Sequence, residues 1–142
     1  MRVKRPSEFE DLLTVMKDQV FETYKDALIF AACYGLMKEH RLAFKKSSEP
    51  IPLSVFNNDR DQMIINVIAM SDCGYDPNIM SDDRTEEKLT IFEEYACGGL
   101  ALLSKRLDMT DDQLTDALAN IIMETNTSVI TGIGSISELA ET

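Results

Sequence analysis

The chain is poor in the side chains from which catalytic and metal sites are built, with one histidine, three cysteines and no tryptophan in 142 residues. His40 has no cysteine or carboxylate cluster near it in sequence, and Cys33, Cys73 and Cys97 lack CxxC spacing. A zinc site or a Cys–His nucleophile is therefore not predicted. An odd number of cysteines without that spacing favours reduced thiols and a cytoplasmic location.

Phosphate-binding loops and membrane segments are also missing from the sequence. Gly132-Ile133-Gly134 lacks a third glycine and a preceding strand, and no GxxxxGK[ST] motif occurs. The apolar run Ala27–Tyr34 is far shorter than the ~20 residues that a membrane helix needs. Acidic helix follows the basic start Met1–Arg5, so no signal peptide is predicted. The sequence predicts no bound cofactor and no metal.

What the chain does have is a globular composition with an uneven distribution of charge. It is 44% hydrophobic and 27% charged, and its net charge is −11. Residues 1–46 carry nine basic and seven acidic side chains, whereas residues 47–142 carry five basic and eighteen acidic ones. The acidic second part repels nucleic acid and favours a basic partner, so phosphate contact is expected only in the first part.

The run Ala27–Tyr34 predicts a central helix buried on all sides, because a helix that is apolar all round must be covered all round. Thr23 and Asp26 have the spacing of an N-cap and its N3 residue. Gly35 stands where a helix end favours positive φ, so the helix is predicted to stop there.

Four amphipathic helices are predicted around this one. The first runs from Ser7 to about Val20, the third starts at Asp59, the fourth near Ser81–Asp83, and the fifth at Thr110. The side chains predicted to face inward are Met63, Ile64, Val67 and Ile68 on the third, Leu89, Phe92, Ala96, Leu100 and Leu103 on the fourth, and Leu114, Ala117, Leu118, Ile121 and Ile122 on the fifth. Gly98-Gly99 in the fourth helix predicts close helix approach or a kink.

The predicted fold is mainly α, with about five helices packed around the buried central helix, which is itself one of the five. A small β-ribbon is predicted near residues 41–56. Two prolines in this stretch exclude a central strand, so Ile51–Val55 is predicted as an edge strand that pairs with Arg41–Phe44. Residues 1–127 form one helical domain in this prediction, and residues 128–142 form a tail that docks or stays flexible.

Two sets of charged residues bear on function. The basic set could contact DNA phosphates in a salt-sensitive way, and it comprises Arg2, Lys4, Arg5, Lys38, Arg41, Lys45 and Lys46. Asp83, Glu86 and Lys88 imitate the carboxylate–lysine set of metal-dependent nucleases. Because these residues lie in the first turns of one helix, they are predicted instead to be exposed to solvent and to complement the helix dipole.

Three segments together resemble a known family. They are Phe21–Ala32 (FETYKDALIFAA), Ser48–Phe56 (SEPIPLSVF) and Lys88–Leu100 (KLTIFEEYACGGL). They resemble the small accessory proteins encoded beside bacterial DNA-phosphorothioation (Dnd) clusters, called Dnd system-associated proteins, over about residues 3–107. The resemblance implies a role in bacterial DNA modification and antiviral defence, and it implies no active-site residue.

The leading hypothesis is a non-enzymatic accessory or adaptor protein that contacts protein components of a DNA modification or restriction system. Self-association is compatible with Gly98-Gly99 in the fourth helix, because glycines allow close packing. The alternative is a DNA-binding regulator that uses the basic set. A nuclease and an acidic DNA mimic are the remaining classes to be tested.

Overall fold

The structure, a computed structural model, describes residues 1–107 and 116–124. The chain divides into two compact units, Met1–Arg106 and Leu107–Thr142. The predicted fifth-helix start at Thr110, its residue Leu114 and the predicted tail 128–142 lie outside the described residues. The predicted domain limit at residue 127 stays a prediction.

Helices make up most of the described chain, so the mainly α prediction is confirmed. The elements in chain order are β1 (Arg2–Val3), α1 (Glu10–Met16), α2 (Tyr24–Met37), β2 (Ile51–Pro52), α3 (Asp59–Asp72), α4 (Thr85–Arg106) and α5 (116–124). A π-helical turn, Lys17–Phe21, extends α1, and the 3-10 turn Asp82–Arg84 leads into α4.

Helix α2 is mostly buried, as its composition predicts, but it is not buried on all sides. Thr23 caps it, because the Thr23 hydroxyl accepts a hydrogen bond of 3.1 Å from the backbone N–H of Asp26. Most of its apolar side chains are buried, and Phe30 and Cys33 are half-buried. Its main neighbour is α4, which also contacts α1 and α3. The interior is therefore organised around the α2–α4 pair.

Glycines allow α2 and α4 to approach backbone to backbone. A Cβ at Gly99 would overlap the carbonyl oxygen of Ala31 on α2, and a Cβ at Gly35 would overlap that of Tyr95 on α4. The predicted role of Gly98-Gly99 in close approach is confirmed. The predicted stop at Gly35 is wrong, since α2 continues to Met37. Gly35 is a packing residue inside the helix.

Glu39, rather than a glycine, takes the left-handed conformation that ends α2, with φ of 52°. The backbone N–H of His40 donates to the Gly35 carbonyl at 2.8 Å, and that of Glu39 donates to the Leu36 carbonyl at 3.0 Å. These two bonds form a Schellman motif, whose left-handed position usually holds glycine. A side chain with a Cβ at this position is strained.

Replacing Glu39 by glycine is expected to raise the free energy of unfolding by about 0.5–1 kcal/mol, because glycine adopts positive φ without a steric penalty. Glu39→Ala removes the same charge but keeps the Cβ, so it serves as the matched control. Urea denaturation of the three proteins measures the effect. Equal stability of the glycine and alanine variants would show that strain at this φ is not the cause.

The β-ribbon exists, but its predicted pairing with Arg41–Phe44 is wrong. β2 pairs antiparallel with β1, with Val3 opposite Ile51, and an isolated bridge joins Pro6 to Ser47. The N-terminal segment therefore occupies the edge that was assigned to residues 41–44. Val3 is fully buried, which supplies the apolar contact that this strand needs.

Helix α3 turns a different face to the interior from the one predicted. Ile65 and Ile68 are buried, whereas Met63 is 58% and Val67 49% exposed. The predicted inward position is therefore confirmed for Ile68 and wrong for Met63 and Val67. Two apolar stripes interleave on this helix, and the buried one also carries Asp61, whose carboxylate pairs with Lys25 of α2 at 2.8 Å. The pair fixes which stripe faces α2.

Helix α4 agrees with the prediction. Leu89, Phe92, Ala96, Leu100 and Leu103 are all buried, and the helix ends at Arg106. In α5, Leu118 and Ile121 are buried. No helix in the described part of the chain combines the length and apolar character required to cross a membrane.

Candidate functional site

The ribbon brings part of the predicted basic set together. Arg2 and Lys4 lie on the N-terminal segment, and Lys45 and Lys46 lie just before the segment that pairs with it. The backbone N–H of Ser7 donates to the Lys46 carbonyl at 3.0 Å. All four basic side chains are exposed. They are spread along the ribbon, with Arg2 opposite Pro52 and Lys46 beside Ser7, and we call this surface the ribbon edge.

Lys38 is held elsewhere, at the C-terminal end of α2. Its ammonium lies 5.8 Å from the centre of the Tyr34 ring. A cleft of about 450 Å³ there is lined by Tyr34, Lys38, His40, Leu102, Lys105 and Arg106. Cations at the ends of α2 and α4 complement the helix dipoles. Lys38 thus belongs to a helix-end cluster apart from the ribbon edge.

Arg5 faces the interior, because alternate residues of an extended segment point to opposite sides. It is only 7% exposed. Its guanidinium lies 4.1 Å from the centre of the Tyr24 ring and 3.3 Å from the Glu10 carboxylate. Contact between Arg5 and a phosphate would require these partners to separate.

Arg41 joins the loop after α2 to two other elements. Its Nε donates to Glu94 of α4 at 2.8 Å, and its Nη1 donates to Asp72 at the end of α3 at 2.6 Å. The Tyr95 hydroxyl donates to the other Asp72 oxygen at 2.8 Å. Burial and this hydrogen bond raise the pKa of Tyr95 to about 12. Arg41 is thus a structural clamp, and a phosphate would compete with two carboxylates for it.

Glu93 is a buried carboxylate on α4 beneath the N-terminal segment. It accepts a hydrogen bond from the backbone N–H of Lys4 and is 6% exposed. Burial raises the pKa of Glu93, and the Lys4 hydrogen bond opposes that rise. The folded state therefore holds this proton more tightly than the unfolded state does.

This raised pKa predicts a pH-dependent stability. The contribution of Glu93 is fully present below its unfolded pKa of about 4.5 and is lost as pH rises through the folded pKa. Glu93→Gln keeps an oxygen acceptor for Lys4 without a charge. We therefore expect the stability of the variant to depend less on pH and to be greater than that of the wild type at neutral pH. Thermal unfolding of both proteins between pH 4 and 8 measures this. Parallel curves would contradict it.

The predicted nuclease-like residues do not converge. Asp83 accepts a hydrogen bond from the Ser81 hydroxyl, and Lys88 donates to Asn66 of α3 at 3.1 Å. Glu86 is exposed, and its carbonyl accepts a hydrogen bond from Thr90 in the next turn. Within residues 1–107 and 116–124, no group of three or more His, Cys, Asp or Glu side chains is placed to hold a metal ion.

The three cysteines are free, and two of them have raised pKa values. Burial raises the pKa of the Cys97 thiol to about 11. Burial also raises the pKa of Cys33, with partial opposition from the Arg60 charge. Both thiols are protonated at neutral pH, and a thiol is a far weaker nucleophile than a thiolate.

The most distinctive surface feature is an apolar groove along the outer side of α3. It has a volume of about 330 Å³, and its lining residues are Asp59, Gln62, Met63, Asn66, Val67, Met70 and Met80. Met63, Val67 and Met80 are between 44% and 58% exposed. We call this feature the α3 groove. It offers methionine and valine side chains to water without a basic residue in its lining.

Comparison with known proteins adds one finding. A protein-family model described as DNA sulphur modification system-associated protein 4 matches residues 2–135. The chain belongs to this family. No curated protein and no solved structure matches the chain.

The family region contains both surfaces described above. Residues 2–135 include the ribbon edge, which starts at Arg2, and the whole α3 groove. The resemblance to Dnd system-associated proteins is thereby confirmed. The family description associates the chain with a DNA sulphur-modification system and assigns no role to individual residues.

Sequence reasoning missed the α3 groove because it assigned Met63 and Val67 to the interior. A signal was present in the composition of α3. The helix has more apolar residues than one buried face can hold, namely Met63, Ile64, Ile65, Val67, Ile68, Ala69 and Met70. A helix with apolar residues on two sides needs a second covering surface or leaves one side exposed.

Proposed function

We propose that the chain is a non-enzymatic accessory protein of a DNA sulphur-modification system linked to bacterial defence, and that it acts in the cytoplasm by contacting protein components of that system. The family match over residues 2–135 supports the association with the system. The observation that carries the contact mechanism is the α3 groove, where Met63, Val67 and Met80 are exposed to water. Contiguous exposed apolar side chains are typical of interaction surfaces.

Affinity capture tests this proposal directly. The tagged full chain is produced in a cell that encodes the sulphur-modification system, and proteins that it retains are identified by mass spectrometry. We expect a component of the system in near-stoichiometric amount, and none from a strain that lacks the system genes. Retention of no system component would overturn the proposal.

An enzymatic activity would also overturn it. The purified chain is incubated with plasmid DNA and Mg²⁺ or Mn²⁺, and Glu86→Ala serves as the comparison variant. We expect intact plasmid with both proteins. Cleavage that Glu86→Ala abolishes would assign catalysis to the acidic start of α4.

DNA contact through the ribbon edge is a second candidate function. It is favoured by the pairing that places the exposed Lys45 and Lys46 next to the segment that carries Arg2 and Lys4. Such a cluster would bind phosphates without reading sequence. The excess of acidic groups elsewhere opposes it.

A gel-shift titration of duplex DNA at increasing salt separates the two candidates. Binding through the ribbon edge would weaken steeply with salt. Lys45→Gln/Lys46→Gln would lose about two phosphate contacts, so the plot of log K against log salt concentration would become less steep. Lys105→Gln, which removes an exposed lysine from the helix-end cluster, is the control. The absence of binding at low salt would exclude this candidate.

A further inference from the structure

Helix α3 is apolar on two opposite sides. Its inner side carries Ile65, Ile68 and Ala69, all of which are at most 5% exposed. Its outer side carries Met63 and Val67, one helical turn apart, and both line the α3 groove. Exposing such side chains to water is unfavourable compared with burying them. The outer side is therefore suited to a contact that removes it from water.

One acidic side chain, Asp59, lines this groove, and the stretch of chain that forms the groove is acidic. The stretch from α3 to the turn before α4, residues 59–84, contains six aspartates and two arginines. Two of the aspartates are engaged internally, Asp61 with Lys25 and Asp72 with Arg41. One arginine, Arg84, pairs with Glu87. The remaining charged residues of this stretch are four aspartates (Asp59, Asp76, Asp82 and Asp83) and one arginine (Arg60), so its charge balance is negative.

We infer that the α3 groove binds the apolar face of a basic amphipathic helix in a partner protein. The inference rests on the proposed function, because it names the kind of partner through which the accessory role is carried out. An amphipathic helix docks by inserting apolar side chains at i, i+3, i+4 and i+7 into such a groove. Its lysines and arginines are then attracted by Asp59 in the lining and by the negative charge of the surrounding stretch.

The methionines suit this partner. Met63, Met70 and Met80 are unbranched and polarizable, so they repack around side chains of different shape. Methionine-rich surfaces of this kind tolerate several related helices. Asp59, the charged residue of the lining, stands at the first turn of α3, where it meets one end of the docked helix.

The test uses three fluorescent 18-residue peptides and the purified full chain. The first is a helix of Leu and Lys with leucine at i, i+3, i+4 and i+7. The second replaces every lysine by glutamate, and the third scrambles the first. We expect the Leu/Lys helix to bind in anisotropy titrations, at least tenfold more tightly than the other two peptides. Equal binding of all three peptides, or none, would overturn the inference.

Two double variants locate the binding surface. Met63→Gln/Val67→Gln removes apolar contacts from the groove and should weaken peptide binding at least tenfold. Met37→Gln/Val55→Gln changes side chains that are 39% and 43% exposed outside it and should leave the affinity unchanged. Methionine methyl NMR provides an independent readout, with peptide-induced shifts expected at Met63, Met70 and Met80. Shifts confined to other methionines would overturn the inference.

A second copy of the chain is the competing occupant. Sedimentation of the full chain and of Met63→Gln/Val67→Gln decides this, since loss of a dimer in the variant would assign the groove to self-association and overturn the inference. Affinity capture separates the inference from the proposed function. If the wild-type chain and this variant retain the same system component equally, the groove assignment fails and the accessory role stands.

Discussion

Replacing Gly99 by alanine is expected to lower the free energy of unfolding by about 3 kcal/mol, near the upper end of the usual cost of overpacking. The new Cβ would overlap the Ala31 carbonyl oxygen, which belongs to the backbone of α2 and cannot rotate away. The α2–α4 pair would have to separate. Alanine's better helix propensity offsets only about 1 kcal/mol of that cost. For a chain of this size, the loss corresponds to roughly 10 °C in Tm.

Circular dichroism melts of Gly99→Ala and Ser104→Ala measure this effect. Ser104 is exposed on the same helix, and its hydroxyl bonds only the Ala101 carbonyl within the helix. Its replacement should change stability by less than about 0.5 kcal/mol. If Gly99→Ala were as stable as Ser104→Ala, the close backbone contact would not limit packing of α2 on α4.

The sequence is sufficient to predict the start of α2 and the buried face of α4, because these signals are local and agree with one another. Thr23 caps α2 as its spacing indicates, and the apolar residues of α4 follow one stripe from Leu89 to Leu103. Gly98-Gly99 costs helix propensity, so its presence already indicated a packing role. In each case no other part of the chain offered a competing arrangement.

The ribbon and α3 could not be predicted in the same way, because their arrangement depends on contacts distant in sequence. Ile51 had two possible strand partners, and the choice of Val3 follows from burial of that side chain. α3 carries two apolar stripes of similar quality. The buried ion pair between Asp61 and Lys25 selects the inner stripe, and a pair separated by this many residues leaves no local pattern in the sequence.

The same reasoning applies to the candidate surfaces. The basic set was recognisable as a group of residues, but only the structure distinguishes exposed Lys45 and Lys46 from Arg5 and Arg41, which are engaged with carboxylates. The α3 groove was hidden by the assumption that apolar residues at helical spacing face the interior. Apolar periodicity indicates which residues share a side, and it does not indicate which side is covered.

The Lys25–Asp61 pair joins α2 to α3 inside the protein. The Asp61 side chain is 0% exposed and that of Lys25 is 17% exposed, with 2.8 Å between Nζ and the carboxylate oxygen. Asp61 also lies in the first turn of α3, where a negative charge is favoured by the helix dipole. The two partners are unequal, since Lys25 can extend toward water and Asp61 cannot.

Lys25→Met is therefore expected to lower the free energy of unfolding by about 3–5 kcal/mol at neutral pH, because it leaves a buried carboxylate without its counter-charge. The double variant Lys25→Met/Asp61→Leu removes both charges and should recover most of that loss, since apolar replacement of a whole buried pair is often neutral or stabilising. Urea denaturation of the single and double variants gives the coupling energy. Arg84→Met is the control, because its pair with Glu87 is exposed and should contribute little to stability. A Lys25→Met loss no larger than this control would mean that the buried pair does not hold α3 in its orientation, and the outer position of Met63 and Val67 would then need another cause.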